Sequence, residues 1–251
     1  MRLNTTVFTK DRIIVLGSLI GITALSWAYL VWLAHGISAM GNMPEMAMSM
    51  PRPEPFAFTA IMWIVMMVGM MLPSAMPMIL LFLMVQRKQG KHPLMMTSLF
   101  IAGYLVIWAA FAIAAAELQR TLSDAAILSP TMTLISTRLA GAAFILAGIF
   151  EITPLKNRCL THCVNPLRFI TSHWHPGVAG ALRMGVAHGG FCLGCCWTLM
   201  LLLFVAGVMN LIWVATLTVL ILLQKTFPYS KLSTALTGTV MITTGVVISV
   251  T

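Results

Sequence analysis

Seven stretches of this chain are apolar for long enough to leave it few choices of fold. They run near positions 13–33, 57–85, 94–116, 132–150, 184–208, 210–224 and 232–250. A bilayer crossing needs about 20 apolar residues in a helix, so these windows read as membrane spans. Hydrophobic residues make up 59% of the chain and charged residues 8%, against roughly 25% charged in soluble domains. The expectation is an all-α, polytopic integral membrane helix bundle, one transmembrane domain over residues 1–251. The sixth window is short and follows the fifth across a tight Gly207–Asn210 turn. About seven helices are therefore expected, with six as the alternative. No small-residue cleavage site follows the first window, which reads as a retained helix rather than a signal peptide.

The basic residues orient the bundle. With a cytoplasmic N-terminus, Arg2, Lys10, Arg12, Arg87, Lys88, Lys91, Lys156, Arg158, Arg168, Arg183, Lys225 and Lys231 fall inside, and Arg52, Arg120 and Arg138 fall outside or near it. Twelve of fifteen positive charges on one side match the positive-inside bias. The net charge of +9 is then a matter of topology and contact with anionic lipid. No basic patch with interleaved aromatics suggests a nucleic-acid partner.

The outside loop, residues 34–56, is rich in methionine: Met40, Met43, Met46, Met48 and Met50 fall within eleven positions. Thioethers are soft neutral donors that suit Cu(I) and not hard ions; the other reading is a flexible apolar surface against lipid or a partner. The second window continues the theme. Met62, Met66 and Met70 recur every four residues, with Met67 and Met71 one position along, and residues four apart share a helix face. That row is either adaptable packing or a relay from the loop. Pro73 and Pro77 are expected to interrupt this helix and free carbonyls within the membrane, where only protein or a wet cavity can cover them.

On the inside, the basic segment 151–183 carries Cys159, His162 and Cys163, then His173 and His175. Cys-x-x-His-Cys brings two thiols and an imidazole within reach of one ion, with the fourth ligand to come from His173, His175 or His188. In the fifth window His188, Cys192, Cys195 and Cys196 lie within nine residues, and the spacing by four, seven and eight places them in one broad stripe. Gly185, Gly189, Gly190 and Gly194 interleave with them as two small-xxx-small patterns that allow a neighbouring helix close approach. Buried free cysteine also serves as ordinary packing. Five cysteines, an odd number, argue against a disulfide framework. His35 and His92 read as ordinary interfacial residues.

Met62-Trp-Ile-Val-Met-Met-Val-Gly-Met-Met-Leu-Pro73-Ser-Ala-Met-Pro77-Met and His188-Gly-Gly-Phe-Cys-Leu-Gly-Cys-Cys-Trp197-Thr-Leu-Met resemble the bacterial family of predicted metal-binding integral membrane proteins, the domain of unknown function 2182. The likeness runs from about Ala57 to Leu223. It implies a multi-pass protein of the bacterial inner membrane that binds metal, with no established reaction. An acidic residue is expected before Lys225 in that family; this chain has Gln224.

No catalytic constellation competes. The chain has six acidic residues, of which Glu117, Asp124 and Glu151 sit near window ends where an interfacial place suffices. It lacks a phosphate-cradling glycine loop and a set of nucleophile, base and orienting group. The expectation is a non-enzymatic, copper-handling protein. Cu(I) would pass from the outside methionines along Met62, Met66 and Met70 to His188, Cys192, Cys195, Cys196, Cys159, His162 and Cys163, for import or for delivery to a membrane cuproenzyme. Zinc is the other ion that thiol and imidazole admit. The alternative is a non-catalytic accessory subunit of a larger membrane complex, its glycine and methionine faces serving as helix contacts.

Overall fold

The computed structural model describes residues 5–41, 55–89, 92–129, 133–226 and 230–250. In chain order its helices are α1 (Thr5–Gly41), α2 (Phe56–Gln89), α3 (Pro93–Asp124), α4 (Thr137–Ile152), α5 (Pro154–Val164), α6 (Pro166–Ser172), α7 (Gly177–Leu201), α8 (Leu203–Ala206), α9 (Leu211–Thr226) and α10 (Ser230–Val250). Each apolar window is helical over most of its described length, and no strand occurs among the described residues. Five helical stretches are long and apolar enough to cross a membrane: Lys10–Gly36, Phe56–Gln89, Pro93–Asp124, Gly177–Ala206 and Leu232–Val250. The α4 and α5 pair, bent by 64°, makes a sixth if it is one span, and α9 is a shorter apolar helix.

Proline placement sets the bend. Thr153 precedes Pro154, which pushes it out of the helical region; it is extended at φ −66°, ψ 148°, and its hydroxyl accepts from the Lys156 amide as the N-cap of α5. Asn165 before Pro166 ends α5 in the same way. The expected cytoplasmic loop at 151–183 is therefore largely helical, folded back against α7.

The expected break at Pro73 and Pro77 does not occur, since α2 runs unbroken through both. Pro73 has no N–H to offer the Gly69 carbonyl four residues earlier. The indole Nε1 of Trp27 on α1 donates to that carbonyl at 3.3 Å, so a neighbouring helix covers the freed group.

Glycines govern the closest helix contacts. On α7, a Cβ at Gly185 would overlap the Phe100 carbonyl of α3, and one at Gly103 on α3 would overlap the Leu182 carbonyl. On the other side of the bundle, Gly141 and Gly148 of α4 meet Gly245 and Gly238 of α10 backbone to backbone. The tight turn expected at 207–210 is present. Gly207 supplies it with φ 94°, and the Asn210 side chain accepts from the Trp213 amide at 3.2 Å to start α9.

Candidate metal centre

Helix α7 presents His188, Cys192, Cys195 and Cys196 to the interior, each buried. A thiol within a turn of helix donates back to the chain: Cys195 Sγ reaches the Cys192 carbonyl at 3.1 Å and Cys196 Sγ at 2.9 Å. Cys192 itself is held by other helices. The Lys225 ammonium at the end of α9 donates to its sulfur at 2.8 Å and to Ser74 Oγ of α2 at 3.1 Å. The Tyr104 hydroxyl of α3 lies 3.2 Å from the same sulfur and donates to the Met71 carbonyl of α2 at 3.1 Å. Four helices thus converge on one thiol.

Helix α5 adds the fourth thiol of the group. Cys163, half-buried, interacts with Cys192 and Cys195, and those two with Cys196. Cys159 lies one turn back on α5, its sulfur 3.1 Å from where a Cβ of Gly194 would stand. The glycines of α7 therefore divide their work: Gly185 and Gly189 admit α3, Gly194 admits the Cys159 sulfur, and Gly190 faces open space.

Beside the thiols lies a buried polar group. Glu151 and Lys156, both fully buried, form an ion pair across the α4–α5 bend. Gln224 joins both: the Lys156 ammonium donates to Gln224 Oε1 at 2.9 Å, and Gln224 Nε2 donates to Glu151 Oε2 at 2.9 Å. Glu151 is thus no interfacial carboxylate, and Lys156 and Lys225 direct their charges into the protein rather than to the membrane surface. Gln224 has a defined place as well, because Glu151 supplies the carboxylate beside it.

His188 is ringed by Phe100, Tyr104 and Phe169 at centroid distances of 5.9, 5.7 and 5.2 Å. Its Nδ1 is buried without a hydrogen-bond partner. His162 and His173 stand half-buried on the far side of Phe169 and Phe191, with His175 beyond them. Met62, Met66, Met67, Met70 and Met71 are all core residues, 0 or 1% exposed. The loop methionines Met43, Met46, Met48 and Met50 lie outside the described residues, and Met40 is described only as helical backbone.

Lys225, Tyr104 and Ser74 are the site residues that motif spacing missed. Lys225 is one of the basic residues that the charge bias assigns to the inside, and its one signal as a site residue is being the sole ionisable group of α9. Among the described residues no three His, Cys, Asp or Glu side chains are pre-arranged around one point; the thiols are gathered, with an ammonium on Cys192. The donor set, buried sulfur beside a buried imidazole with no free carboxylate, is of the kind that soft ions take.

A family model, PpoB2, described as a copper chaperone, matches residues 60–248. The chain matches no curated protein and no solved structure.

Proposed function

The chain belongs to the PpoB2 family of copper chaperones, and on that premise we propose that it carries Cu(I) within a bacterial inner membrane, for import or for delivery to a membrane cuproenzyme. The observation that carries this reading is that one tyrosine of α3 ties the methionine helix α2 to the thiol of α7. The buried row Met62, Met66 and Met70 leads down α2 to Met71, and one tyrosine hydroxyl bridges the Met71 carbonyl and the Cys192 sulfur. Thioethers hold Cu(I) loosely and need no deprotonation, whereas thiolates hold it firmly. A path from the first to the second is a gradient of rising ligand strength. Cys192, Cys195, Cys196 and Cys163 receive the ion, with Cys159, His162 and His188 at the margin of the cluster, and Met40, Met43, Met46, Met48 and Met50 collect it from outside.

The Lys225 ammonium gives the receiving site its manner of exchange. It already donates to a ligand sulfur, so an arriving ion competes with it for that sulfur, and each thiol that ligates the ion gives up its proton. Zinc takes four closed ligands in structural sites, and no such set is pre-arranged among the described residues, so it is the weaker candidate. The role is carriage, not turnover.

Elemental analysis of detergent-purified protein under reducing conditions tests the reading. At least one copper per chain is expected in the wild type, and a Cys192→Ser, Cys195→Ser variant is expected to hold one fewer. Equal trace copper in both would return the cysteines to packing and favour an accessory subunit of a larger complex.

A further inference from the structure

Two imidazoles of the basic segment around α5 and α6 are set in a manner that packing does not require. His162 on α5 stacks on Phe191 of α7 at 4.3 Å and 4°, and His173 stacks on Phe169 at 4.9 Å and 9°. Each ring is therefore fixed by an aromatic face. Hydrogen bonds select their tautomers as well. His162 Nδ1 lies 2.9 Å from the Arg158 carbonyl; a carbonyl only accepts, so Nδ1 carries the proton. His173 Nδ1 lies 2.8 Å from Ser172 Oγ, and the single hydroxyl proton of Ser172 is already directed to the Arg168 carbonyl at 2.8 Å. While that proton stays on the carbonyl, Ser172 accepts and Nδ1 of His173 donates. In that arrangement both rings leave Nε2 as the lone-pair nitrogen, and a hydrogen bond at the other nitrogen is usual for a metal-binding histidine.

The spacing fits two-coordinate binding. Metal–nitrogen bonds of about 2.0 Å, with each nitrogen roughly 1.1 Å from its ring centre, separate two imidazole centres by about 6 Å when the metal lies between them in line. The centres of His162 and His173 are 5.9 Å apart with their planes at 81°, a separation that a linear bridge spans once each Nε2 is turned along the line between the centres. Linear pairs of neutral donors suit d¹⁰ monovalent ions and leave zinc under-coordinated. The position suits transfer: His162 is adjacent in the chain to Cys163, whose thiol interacts with Cys192 and Cys195.

We infer that His162 and His173 form a second, two-nitrogen site for Cu(I), a half-exposed port through which the ion passes between the thiol cluster and whatever meets the basic end of the protein. The inference rests on the copper reading for its cargo, and on the histidine geometry for its place. At the port the ion is held by two neutral donors, more weakly than by thiolates, so it is open to a partner that offers sulfur.

Silver(I), an air-stable d¹⁰ stand-in for Cu(I), tests it on the full chain in detergent. The wild type is expected to retain two ions. His162→Gln and His173→Gln should each lose one while melting as the wild type does, and Cys192→Ser with Cys195→Ser should lose the other. X-ray absorption on the silver left in the cysteine variant should show nitrogen donors and no sulfur, a readout that does not depend on the histidine variants folding. Equal silver in the wild type and both histidine variants, or sulfur ligation alone, overturns the port and leaves the thiol reading standing. Silver lost from the histidine variants but unchanged in the cysteine variant supports the port and overturns the thiol reading.

Discussion

At the scale of single residues, the Glu151–Lys156–Gln224 group shows how much the site depends on charges kept out of water. Burying a carboxylate and an ammonium costs several kcal/mol for each, offset only when each finds the other with good geometry. Here the pair is closed by a glutamine that accepts from one and donates to the other. Glu151→Ala would leave a fully buried ammonium with a neutral partner, and we expect a loss of about 3–5 kcal/mol in unfolding free energy, read by denaturant unfolding in detergent. The double replacement Glu151→Leu, Lys156→Met should return stability close to the wild type, because no uncompensated charge remains. If the two variants were equally unstable, shape rather than charge would be what this corner requires. The same residues fix the α4–α5 bend, and through it the position of Cys159 and Cys163.

At the scale of elements, the α3–α7 contact decides whether Tyr104 and Cys192 meet. Gly103 and Gly185 let the two backbones touch, which small residues permit in membranes where packing, not water, draws helices together. Gly185→Ala should destabilise by about 1–3 kcal/mol through overlap with the Phe100 carbonyl. Gly190→Ala, on the same helix but facing open space, should be neutral or stabilising by about 0.5–1 kcal/mol, since alanine is the better helix former. Thermal melts of the two variants side by side check this, and equal effects would count against the contact. Local properties of this kind were legible in the sequence: the apolar windows became helices because length and hydropathy act locally, and the stripe of His188, Cys192, Cys195 and Cys196 follows from helical geometry alone. What stayed hidden needed several helices at once. Lys225, Tyr104 and Ser74 come from α9, α3 and α2, and nothing in the order of residues brings them to one sulfur. Pro73 misled for the same reason, because the indole that covers its freed carbonyl stands 42 positions away in the chain.

At the scale of the whole molecule, the charge bias that leads us to propose a cytoplasmic N-terminus survives the withdrawal of Lys156 and Lys225, since the other basic residues assigned to the inside, Arg12 and Arg158 among them, keep it. Cysteines introduced at Arg12 and Arg158 are expected to resist a membrane-impermeant thiol reagent in intact cells and to react after permeabilisation, whereas one at Arg120 should react in both. Labelling of all three from outside would reverse the reading of which end collects copper. Small zinc domains unfold once their ion is withdrawn, because nothing else satisfies the ligands. In this bundle the Cys192 sulfur is held by an ammonium and a phenol of the chain itself, so the fold does not draw on an ion for that partner. On the copper reading we propose, such a carrier would outlast each delivery and stand intact to receive the next.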